Sequence, residues 1–123
     1  MRMNKILIIL PIFCSLFFTA CSQKTKCEQL PEQFSSYQEA AKKIKEANFK
    51  IIYKVNTSKS SWISSASYYS CDGSTGYFIF VAKGKEYIHT GIPYSVWSEF
   101  KNAESFGSFY NKNIKHKYIL LLN

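Results

Sequence analysis

Acidic chemistry is scarce in this 123-residue chain: eight carboxylates stand against sixteen basic residues, and the only aspartate, Asp72, sits in a turn. No paired-carboxylate site for acid–base hydrolysis is therefore evident. Histidine is rarer still. His89 and His116 have no metal-ligand spacing to cysteines or acids, so no metal site and no cofactor is indicated. Long apolar runs are also missing. The main one, Ile6 to Phe18, has 13 residues and contains Pro11. A bilayer core needs roughly 20 apolar residues in a helix, and proline breaks a regular one, so this run is too short to span.

What the run does fit is an export signal. Met1-Arg2-Met3-Asn4-Lys5 is a basic n-region, Ile6 to Phe18 an apolar h-region, and Thr19-Ala20 lead into Cys21. Phe18-Thr19-Ala20-Cys21 resembles a lipobox, at which bacteria acylate the cysteine and cut before it, with Phe18 where leucine is usual. An ordinary secretory signal with an incidental cysteine is the alternative. Two or more acyl chains anchor stably where one does so marginally. Cys21 is thus the expected lipidation site, and the membrane of a bacterial cell envelope the expected location. Lys24 and Lys26 follow, where each cation favours anionic headgroups by about 1 kcal/mol. Ser22 to Phe34 contains Pro31, lacks periodicity and reads as a tether. Fully extended at roughly 3.3–3.6 Å per residue, it would reach about 45 Å.

Removing residues 1–20 leaves 103, one domain with a modest core, and lowers the net charge from +8 to +6 as Arg2 and Lys5 depart. A basic balance is compatible with nucleic acid, anionic lipid or an acidic polymer, and equally with a merely solvated surface. Export makes nucleic acid a scarce partner. Of the four cysteines, Cys14 leaves with the signal and Cys21 is assigned to lipid. Cys27 and Cys71 remain, and an oxidising compartment permits their disulfide; two free thiols are the alternative.

The expected domain, residues 35–123, is α+β. Phe34, Tyr37, Ala41 and Ile44 mark the apolar stripe of an N-terminal helix, with Ser36 and Glu39 as a capping box and Asn48 as its stop. Period 2 then takes over. Phe49 to Val55 reads as a half-buried strand, and Ser61 to Tyr69 as a second with a bulge. Asp72-Gly73 supplies turn chemistry, Tyr77 to Ala82 a strand buried on both faces, and Glu86 to Ile92 a fourth. Four antiparallel strands in a meander are the simplest assembly. Pro93 opens a short helix carrying Val96, Trp97 and Phe100, and a second starts near Ser105. Tyr118 to Leu122 is too apolar for a free end and is expected to add an edge strand or pack on the core.

The landmarks Ser60-Ser61-Trp62-Ile63, Tyr87-Ile88-His89, Ile92-Pro93, Ala103 to Asn111 and Ile114 resemble the KTSC domain, over about residues 60–118. The family is named for its occurrence at the C-terminus of some lysyl-tRNA synthetases, and it also occurs as stand-alone bacterial proteins. It has no established activity, and RNA binding has been suggested for it. Its central Tyr-x-Tyr is here Tyr87-Ile88-His89. The resemblance therefore implies a stacking face of Tyr87 and His89 flanked by Lys112, Lys115 and Lys117, with the second ring replaced.

Two classes of function follow. A non-enzymatic module would bind an envelope protein, peptide or glycan through Tyr87, His89, Tyr110, Asn111 and Lys115, with Asn111 and Gly107 as alternative helix caps or bends. A nucleic-acid-binding module is the second. Enzyme chemistry reduces to a Cys71–His89 nucleophile pair, which competes with the disulfide.

Overall fold

The computed structural model describes residues 24–123; the expected signal segment and Cys21 lie outside the described residues. The meander is present as expected. Strands β2 (Ile51–Val55), β3 (Ile63–Ser70), β4 (Thr75–Ala82) and β5 (Lys85–Pro93) form an antiparallel sheet in sequence order. A register shift between Ile63 and Ser65 marks the expected bulge. Asp72 closes the β3–β4 turn: its Oδ1 accepts from the backbone N–H of Ser74 at 2.8 Å and of Thr75 at 3.1 Å. These bonds favour the charged carboxylate and hold its pKa below the usual value.

Helices cover both sides. Helix α1 (Tyr37–Glu46) starts at Ser36, whose hydroxyl accepts from the Glu39 N–H at 3.0 Å. The Glu39 carboxylate reaches back to the N–H of Ser35 at 2.7 Å rather than to that of Ser36. Ala40, Ala41 and Ile44 pack with Ile79 and Ile88 of the sheet. On the opposite face, α2 (Tyr94–Lys101) and α3 (Phe106–Asn113) bury Trp97, Phe100, Phe106 and Tyr110 against Tyr68, Phe78 and Phe80. The alternation of Phe78, Ile79 and Phe80 thus feeds two cores, as a strand buried on both faces must. Gly107 neither caps nor bends α3. It lies in the first turn, where an added Cβ would come within 2.5 Å of the Trp62 indole.

Two expectations about the chain ends are corrected. Ser22 to Phe34 is not a free tether along its length. Asn48 N–H donates to the Thr25 carbonyl at 2.8 Å, Cys27 is joined to Cys71 in a disulfide with Cα atoms 6.0 Å apart, and Phe34 is buried. Phe34 also leaves the helical stripe: with Gln33 it forms β1, paired in parallel with β6 (Leu121–Leu122). The apolar tail therefore does both things expected of it. Leu120 enters the core beside α1, and the next two residues add a strand, to the N-terminal segment rather than the meander.

Candidate binding cleft

Tyr87 and His89 lie two residues apart on β5, so they share a sheet face, the face that α3 covers. His89 is only 6 % exposed. Its Nδ1 lies 2.8 Å from the carbonyl oxygen of Tyr118 and its Nε2 2.9 Å from the hydroxyl of Tyr110. A carbonyl only accepts, so Nδ1 carries the proton and Nε2 accepts from the Tyr110 hydroxyl. Burial holds the imidazole below its ordinary pKa of 6.5, although the bond to Tyr118 opposes this. Burial also pushes the Tyr110 phenol up, and the nearby phenols of Tyr37 and Tyr87 push it further.

The expected binding surface is therefore corrected. Tyr87, His89 and Tyr110 do converge, but His89 and Tyr110 are interior groups bonded to each other, and the Tyr110 ring centroid is 4.2 Å from that of Phe80. Asn111 and Lys115 are exposed and do not join them. A flat stacking face of Tyr87 and His89 is not open, because α3 lies over it. Cys71, the other half of the Cys71–His89 pair, is bonded to Cys27.

Tyr87 alone of the five expected residues reaches an open site. A cleft of about 760 Å³ lies between α1 and the β4–β5 turn, and its lining includes Tyr37, Lys42, Lys45, Lys85, Glu86 and Tyr87. The Tyr37 and Tyr87 rings stand 6.3 Å apart, tilted by 52°. Lys45 Nζ meets Glu86 Oε1 at 2.5 Å and ties the helix to the strand across the cleft. No acidic side chain pairs with Lys42 or Lys85 among the described residues. The cleft thus presents two phenol rings and two uncompensated cations in a cavity of small-ligand size, for which about 300–1,000 Å³ is typical.

Sequence reasoning missed Tyr37, Lys42, Lys45 and Lys85. Tyr37 falls on the apolar stripe of α1 and reads as core, yet it is 36 % exposed. Its position in the first helical turn, ahead of the buried Ala40, was the available signal. The lysines have no distinctive spacing; α1 and the β4–β5 turn bring them together.

Residues 59–118 match the family model of the KTSC domain, the stretch over which the sequence carries that resemblance. No curated protein and no solved structure matches the chain.

Proposed function

Starting from a KTSC-type domain behind an export-type signal, we propose that this protein is a lipid-anchored, non-enzymatic module of the bacterial envelope. On this reading the domain holds an envelope protein, peptide or glycan in the cleft between α1 and the β4–β5 turn. The observation that carries the binding half is the cleft itself, where Tyr37 and Tyr87 stand beside Lys42 and Lys85 without acidic partners. Bonded Cys71 and turn-bound Asp72 support a binding role over an enzymatic one, because neither offers a free reactive group. Cover by α3 counts against the nucleic-acid alternative, which needs unpaired bases to reach open aromatic faces.

The test is photocrosslinking in intact cells with p-benzoylphenylalanine replacing Tyr37, Lys85 or Asn111. Discrete adducts are expected from the first two positions and none from the third. Adducts at Asn111 alone, or none at the cleft, would overturn the assignment. The anchoring half is read on the same purified protein by mass spectrometry: the expected N-terminus is Cys21 with a diacylglyceryl thioether. An unmodified Cys21 would refute it.

A further inference from the structure

The cleft has more chemistry than is needed to hold an unspecified partner. Its cations sit on two elements. Lys42 and Lys45 are three residues apart on α1, hence neighbours on the helix surface, while Lys85 faces them from β5. Lys45 is engaged by Glu86, which leaves Lys42 and Lys85 as positive charge from two sides. An anionic ligand is favoured by this field.

The aromatic pair restricts its shape. A planar base held between two rings needs about 7 Å, two contact distances of roughly 3.5 Å, and parallel walls. Tyr37 and Tyr87 are closer, at 6.3 Å, and tilted by 52°. They lean on each other, and one face of Tyr87 is stacked on Phe80 with centroids 5.0 Å apart, so a ligand lies across the parts of the two rings that the cleft leaves open instead of slotting between them. A pyranose suits this: the C–H groups on one face of the ring rest on phenol carbons while hydroxyls point away to polar neighbours. Gln38 and Ser36 line the same cleft, and Leu122 adds apolar surface.

We propose that the cleft is a subsite for an acidic saccharide, a chain of pyranose units bearing carboxylates, with Tyr37 and Tyr87 as the stacking surface and Lys42 and Lys85 as the carboxylate partners. This deepens the binding role given above and rests on the cleft being the binding surface. Binding is non-covalent and reversible.

The test is isothermal titration of the full chain, in detergent micelles, with tetragalacturonic acid. Its fully methyl-esterified form, hexaglutamate and oligouridylate serve as comparisons. Millimolar or tighter binding is expected for the acid and at least about tenfold weaker binding for the ester, a difference of the size one lost charge contact gives. Replacing both Lys42 and Lys85 by alanine is expected to weaken binding of the acid about tenfold. Tyr37→Phe, which keeps the ring, is expected to bind nearly as well as the native protein, whereas Tyr37→Ala is expected to weaken binding; because Lys42 and Lys85 are exposed and unpaired among the described residues, the thermal midpoint should hold in the lysine variant. Equal binding of acid and ester would overturn the proposal, as would an unchanged affinity in the lysine variant. Hexaglutamate or oligouridylate binding as tightly through the same residues would overturn it in favour of a peptide or a nucleic acid. Cleft adducts from cells without binding of the acid would refute the saccharide class and leave the binding role intact; loss of both would remove both.

Discussion

His89 stands where a stacking residue was expected and does the work of a buried connector. It joins β5 to the Tyr118 carbonyl through Nδ1 and to α3 through the Tyr110 hydroxyl. Burial favours the neutral ring, in which Nε2 accepts from the Tyr110 hydroxyl. The consequence for stability has a definite sign. Above pH 6.5 the imidazole is neutral in folded and unfolded chains alike, and the full stability is present. As pH falls below 6.5 the unfolded chain takes up a proton that the folded chain refuses until its lower pKa is reached. Stability then declines with a limiting slope of about 1.4 kcal/mol per pH unit. The main acidic perturbations lie lower, with Glu39 held at about 2 and Asp72 below its ordinary 3.8. Calorimetry from pH 7.5 to 5 should therefore show a falling midpoint in the native protein. In His89→Gln, whose amide donates to Tyr118 and accepts from Tyr110 without titrating, the fall should nearly vanish. The same slope in both proteins would show that another group is responsible.

At the scale of elements, the meander could be read from period 2 and α1 from its capping residues, since each is specified by neighbours in sequence. The pairing of β1 with β6 could not. Two-residue strands carry no periodicity, and Gln33 pairs with Leu121 across most of the chain. The cleft was hidden for a related reason. Alternation places Tyr87 and His89 on one face but does not say what covers it, and the packing of α3 decides that His89 is interior. The disulfide links these elements, since it fixes the segment leading into β1 to the end of β3. Closing its 44-residue separation stabilises the fold by about 4 kcal/mol in the chain-entropy model. A Cys27→Ser, Cys71→Ser protein, or the native one under reductant, should lose about that much in guanidinium titration. Amide exchange should accelerate first at Asn123, whose N–H donates to the Phe34 carbonyl across the β1–β6 pair. A midpoint unmoved by reduction would mean that the backbone bonds at Asn48, the β1–β6 pairing and the packing of Phe34 hold the segment without the disulfide.

For the molecule as a whole, docking of residues 25–34 changes what an anchor at Cys21 would do. Only Ser22 to Thr25 separate Cys21 from the bond between Thr25 and Asn48, a reach of about 14 Å, against about 45 Å for a tether running to Phe34. The chain enters beside Asn48, just past the C-terminal end of α1, and the cleft runs along that helix from Tyr37 in its first turn to Lys45 in its last. Ten residues at about 1.5 Å each separate the two ends by about 15 Å. On the anchored reading the domain is therefore held close to the bilayer by its disulfide end, with the Tyr37 end of the cleft displaced from the attachment point. Spin labels placed through p-acetylphenylalanine at Lys24 or Lys85 test this without adding a thiol. In vesicles carrying nickel-chelating lipid, the label at position 24 should relax strongly and the label at position 85 weakly. Equal relaxation at both positions would mean that the domain tumbles freely on a longer leash, and that the docked segment does not orient it.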